Sequence, residues 1–144
     1  MSQDYKFVRA MLLAILSFGL IGTAVELLFL EHDESLTQLV PLILIGVGLS
    51  VIGWNIATGS FWSLRIMRAT MGAFILAGAL GVILHYRGNV EFQKEIDPSL
   101  HGFALFMKAI KSKTPPALAP GALAQLGLLG LACTYPITKG KDRT

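Results

Sequence analysis

Four long apolar blocks, at residues 8–30, 39–57, 69–86 and 118–137, take up most of the chain, and shorter polar stretches separate them. As a helix rising about 1.5 Å per residue, the first block is roughly 34 Å long, enough to cross a hydrocarbon core of about 30 Å. The pattern predicts an all-α integral membrane protein. It forms one transmembrane domain over residues 1–144: an antiparallel four-helix transmembrane bundle with a short amphipathic surface helix on the outer side between spans three and four.

The connections fit that layout. The first two blocks are joined closely enough for a helical hairpin, with Pro41 suited to the first turn of the second helix. Gly59 and Ser60, followed by Phe61 and Trp62, predict a turn with an aromatic belt at the inner interface. The outer loop, residues 87–117, is the only sizeable extramembrane segment. Within it Pro98 and Ser99 can open a short helix that places Phe103, Phe106, Met107 and Ile110 at i, i+3, i+4 and i+7. That spacing predicts a helix lying on the membrane surface or capping the bundle. "TPPALAP" then reads as a stiff, extended lead-in to the fourth span, because each proline disfavours helix in the residue before it.

Composition sharpens the class. Of 144 residues, 53% are hydrophobic and only 15% are charged, against about 25% charged in an ordinary soluble domain. Mean hydropathy is +0.63. A cleaved signal peptide is the rival for the first block, but the apolar stretch is too long and no small-x-small site ends it, so an uncleaved helix is expected. The single cysteine, Cys133, excludes an intramolecular disulfide.

The net charge of +3 does not point to nucleic acid, because the cations sit mostly at the helix ends, where orientation explains them better. Lys6 and Arg9 precede or open the first span, Arg65 and Arg68 lie between spans two and three, and Lys139, Lys141 and Arg143 occupy the tail. "EHDESLTQ", after the first span, has no cation. By the positive-inside rule both termini are cytoplasmic, and a bacterial inner (plasma) membrane is the expected location.

Lipid drives helix association weakly, so close packing relies on small residues. Ala69, Ala73, Ala77 and Gly81 recur every fourth residue in the third span and lead on to His85. The second span offers Gly46, Ser50 and Gly53; the fourth offers Ala122, Gly127, Gly130 and Thr134. In the first span Gly19, Gly22, Thr23 and Glu26 share a face, which predicts that Glu26 turns into the bundle and meets His85 or Arg87 at a similar depth. A carboxylate inside a span is rarely left unpaired.

His32, His85 and His101 all fall on the outer side with Glu26, Glu31, Asp33, Glu34, Glu91, Glu95 and Asp97, leaving only Asp4 and Asp142 elsewhere. Histidine with carboxylate is ligand chemistry for a metal, and paired histidines can hold haem. However, the spacings match no ligand motif, and HxxxH, HExxH and CxxC are absent. No cofactor is the expectation, with metal or haem the alternative. Gln125 and Asn55 read as hydrogen-bonding glue between helices. No span sets a serine or threonine beside a histidine and an acid, and "GAFILAGALG" lacks the strand that a phosphate loop requires.

These features favour a small non-catalytic membrane subunit with a structural, assembly or regulatory role. Its partners would be membrane lipids together with other membrane subunits or further copies of itself, the Ala69–Gly81 ridge being one route to self-association. The alternatives are an ion or proton transporter using Glu26, or a metal- or haem-binding four-helix bundle.

Overall fold

Each apolar block supports helix, and the flanking polar residues extend or end it locally. In the computed structural model, which describes residues 3–31, 36–113 and 115–135, this gives five helices among the described residues: α1 (Gln3–Phe29), α2 (Leu36–Thr58), α3 (Phe61–Ile96), α4 (Gly102–Ile110) and α5 (Gly121–Ala132). The first three are long and apolar enough to cross a membrane. The all-helical class therefore stands as the sequence predicts.

The helix ends differ from the apolar boundaries for local reasons. α2 starts at Leu36, so Pro41 falls in its second turn rather than its first. Gly59 takes a φ of +55°, which lets the chain reverse between α2 and α3. The Ser60 hydroxyl oxygen then accepts the Ser63 N–H at 3.1 Å and caps α3. The 36 residues of α3 span roughly 54 Å. It runs through the polar residues 87–96, which the apolar pattern assigns to the outer loop, because nothing breaks helix before Pro98. At Asp97 the Asx turn takes over, with Oδ1 accepting from the Ser99 N–H at 3.1 Å and the Ser99 hydroxyl at 2.6 Å.

The fourth apolar block is less regular than expected. Gly121, Ala122 and Leu123 donate to carbonyls three residues back, tight turns imposed by the prolines, so the α-helical part has only 12 residues. That is roughly 18 Å, short of a hydrocarbon core without its flanking turns.

The core lies where α1, α2, α3 and α5 meet. Leu13, Leu16 and Leu20 of α1 pack with Ile45, Val51 and Ile52 of α2, Met67, Met71 and Phe74 of α3, and Leu123 of α5. The largest interface joins α3 to α5, and glycines make it tight. A methyl group added at Gly78 would sit 2.9 Å from Ala124 Cβ, and one at Gly127 would sit 2.7 Å from the Met71 carbonyl oxygen. Contacts climb α3 as they descend α5: Gly81 meets Pro120, Gly78 meets Ala124, and Arg68 meets Thr134. The same opposed order links α1 to α5, where Gly19 meets Leu126 and Arg9 meets Cys133.

Large apolar side chains cover the outside. Phe18 is 80% exposed and Leu76 73%. Exposed apolar residues on this scale mark contact with lipid or protein rather than water.

The packing face of α3 is not the predicted ridge. Ser63, Met67, Thr70, Met71, Phe74 and Gly78 are buried, whereas Ala69 and Ala73 are exposed and Ala77 and Gly81 half-buried. At 3.6 residues per turn, each four-residue step rotates by about 40°, so the stripe turns by about 120° from Ala69 to Gly81. It begins on the outside and ends against Pro120. On α2, Gly46, Ser50 and Gly53 all face outward, and Gly48 instead supplies the close approach, to Phe74.

Candidate functional site

Polar side chains gather at the two ends of the helix assembly. At one end the C-terminus of α5 meets α1, α2 and α3. A helix leaves its last carbonyls without internal partners, and here side chains from other helices complete them. Arg9 of α1 donates from Nε to the Cys133 carbonyl at 3.2 Å. Arg68 of α3 donates from a terminal nitrogen to the Thr134 carbonyl at 2.9 Å and from Nε to the Thr134 hydroxyl at 3.1 Å. The Thr134 hydroxyl donates to the Leu131 carbonyl at 2.7 Å, and the Tyr5 hydroxyl reaches the Tyr135 carbonyl at 3.4 Å. Two cations thus stand against the negative end of the α5 dipole.

The network extends into α2. A terminal nitrogen of Arg9 donates to Asn55 Oδ1, the Asn55 amide donates to the Ser63 hydroxyl at 3.0 Å, and that hydroxyl donates to the Ser60 carbonyl at 2.9 Å. Asn55 is 2% exposed and Ser63 is fully buried. The relay from cation to amide to hydroxyl to carbonyl satisfies each group in turn, which is what apolar surroundings require. Asn55 acts as the interhelical glue that its sequence position suggested. The convergence of Arg9 and Arg68 on α5 is new, because in sequence both cations read only as orientation signals.

At the other end α4 folds back along α3. Its buried side is Leu105 and Ala109, while Phe103 is 75% exposed and Phe106 41%. The predicted face of Phe103, Phe106, Met107 and Ile110 is therefore only half-covered, because α4 docks on α3 through its smaller residues. Phe106 instead packs its ring against Tyr86, with centroids 5.9 Å apart. Asn89 holds the fold-back. Its amide donates to the carbonyls of Ala109 at 3.2 Å and Pro115 at 3.0 Å, and its buried Oδ1 has no partner among the described residues. Sequence reasoning passed over Asn89 because it follows the apolar run. Its signal was an amide between Gly88 and Val90 on a helix that had not ended.

The predicted polar residues are dispersed. Glu26 is exposed on α1 rather than turned inward, and its carboxylate has no hydrogen-bond or ion-pair partner among the described residues. Gly22, one turn earlier, is also open to the outside. His85 donates from Nδ1 to the Pro116 carbonyl at 3.1 Å. Arg87 is exposed and lines a shallow cavity with Tyr86, Glu91, Leu105 and Phe106. The expected contact of Glu26 with His85 or Arg87 is not formed: Glu26 and Arg87 are exposed, and His85 turns to Pro116.

His101 precedes α4 and donates to the Ser99 carbonyl at 2.6 Å. His32 lies outside the described residues. Among the described residues, no three histidine, cysteine or acidic side chains gather as a metal site. No protein-family model, curated protein or solved structure matches this chain.

Proposed function

We propose that the chain is a small, non-catalytic transmembrane subunit that joins a larger membrane complex through the helix faces it leaves open. In this reading α1, α2, α3 and α5 with its flanking turns cross a bacterial inner membrane as an antiparallel four-helix bundle. Both termini are cytoplasmic, and α4 rests at the outer surface. The clamp of Arg9, Asn55, Ser63, Arg68 and Thr134 is then the device that fixes the bundle at its cytoplasmic end.

Glu26 carries the proposal. It stands on the outside of an apolar helix with no side-chain partner among the described residues, beside exposed Gly22, Val25 and Phe29. An acidic side chain near the centre of a span costs about 2.5–3.5 kcal/mol by insertion measurements, less near the interface. A cation or hydrogen-bond donor from a neighbouring protein removes that cost. The exposed small residues Gly46, Ser50 and Gly53 offer the close backbone approach that membrane helices use for association.

A photo-crosslinking residue placed at Gly22 or Ser50 in native membranes tests this. The proposal expects discrete adducts to one neighbouring protein, and expects Glu26→Gln to weaken them. Adducts to lipid alone would sink the proposal. Proton flux in liposomes that disappears in Glu26→Gln would replace it with the transporter reading.

A further inference from the structure

Arg65 and Arg68 lie three residues apart on α3, so their side chains leave the same side of the helix with Cβ atoms about 5–6 Å apart. Each guanidinium rests on an aromatic ring: Arg65 lies 5.9 Å from the Trp62 ring centroid and Arg68 lies 5.3 Å from that of Tyr135. Arg68 is held further by Thr134. Both arginines are exposed, and neither has a carboxylate partner among the described residues. Among the described residues the pair is thus oriented but meets no carboxylate. Guanidinium groups match the oxygen geometry of phosphate, and the aromatic shelves hold them in place without quenching their charge.

The surface beside them is apolar and recessed. Ala69 and Ala73 follow Arg65 at successive four-residue steps and are exposed, next to the larger exposed side chains Ile66 and Leu76. Trp62 and Phe61, packed edge to face at 5.8 Å, stand exposed at the same end of α3. A phosphate-binding pair set directly above an apolar furrow has the two-part chemistry of a phospholipid.

We infer that Arg65 and Arg68 hold the phosphodiester of an anionic glycerophospholipid, with an acyl chain lying over Ala69 and Ala73. The inference rests on the transmembrane part of the proposed function. It assigns the exposed start of the Ala69–Gly81 stripe to lipid rather than to a second copy of the chain.

Native mass spectrometry of the full chain, titrated with phosphatidylglycerol and with phosphatidylcholine of the same acyl chains, tests it. Phosphatidylglycerol should be retained preferentially. Arg65→Gln, which breaks no interhelical hydrogen bond, should weaken its binding about fivefold. Ala73→Phe, which fills the furrow, should also weaken it while the unfolding temperature is maintained. Equal retention of both lipids, no effect of Arg65→Gln, or displacement of the lipid by millimolar inorganic phosphate would each overturn the inference. A carbonate wash of native membranes separates the two claims. Protein released by the wash contradicts the transmembrane reading, whereas protein that stays embedded without phosphatidylglycerol preference contradicts only the lipid site.

Discussion

Asn55 and Glu26 are both polar residues within apolar helices, and the chain treats them in opposite ways. Asn55 accepts from Arg9 and donates to Ser63, so its removal takes one partner from the half-buried Arg9 and one from the buried Ser63 hydroxyl. Asn55→Leu should therefore lower stability by about 1–3 kcal/mol, seen as a lower unfolding temperature in detergent; an unchanged temperature would show that the relay is dispensable. The Glu26 carboxylate has no polar partner among the described residues. Glu26→Gln should leave the unfolding temperature of the isolated protein within the scatter of a surface substitution, about 0.5 kcal/mol. A large drop would reveal an internal partner for the carboxylate. Sequence alone could identify both residues as unusual but could not tell them apart. A side chain's direction depends on which arc of the helix its neighbours cover, and that is a tertiary property.

The existence and order of the helices were legible because long apolar runs have few alternatives to helix in a membrane. Their ends were less so. Hydropathy marks where lipid would stop, whereas a helix stops where a proline or a cap stops it, and α3 continues to Ile96 for that reason. The packing positions of α3 were only partly legible. Counting small residues in fours selected Ala69, Ala73, Ala77 and Gly81, of which Gly81 meets Pro120. Gly127 of the fourth block does approach the α3 backbone, but Gly78 on α3, which meets Ala124, lies off the counted stripe. Gly78→Leu should cost about 1–3 kcal/mol or more through overpacking, while Ala73→Leu should be nearly neutral in the isolated chain. Thermal unfolding of the two variants side by side decides between the two faces.

The end of α3 carries a pH response of its own. The hydroxyl and N–H of Ser99, with a smaller contribution from Lys108, hold the Asp97 carboxyl below its ordinary value of 3.8. A lowered folded value means that the turn's contribution is complete above that ordinary value and is lost as pH falls through the lower one. Amide exchange around residues 97–101 should therefore accelerate only at strongly acidic pH, and Asp97→Ala should reproduce that acceleration at neutral pH. An acceleration that begins well above the ordinary carboxylate value would contradict this account.

Across the described residues, the side-chain hydrogen bonds that join one helix to another lie at the two ends of the assembly. One end is closed by two arginines on the terminus of α5, and the other by Asn89 gripping the fold-back of α4. Between them one apolar core joins α1, α2, α3 and α5, while Glu26 and the small residues Gly46, Ser50 and Gly53 of α2 look outward. An assembly of this kind is complete within and incomplete without, which is the basis for reading it as a subunit. The most direct test is gentle extraction of the tagged protein from its native membrane, followed by native mass spectrometry of the intact particle. The account predicts a particle that contains at least one other membrane protein and loses it in Glu26→Gln. A bare chain or bare homo-oligomer that is indifferent to Glu26→Gln would contradict it.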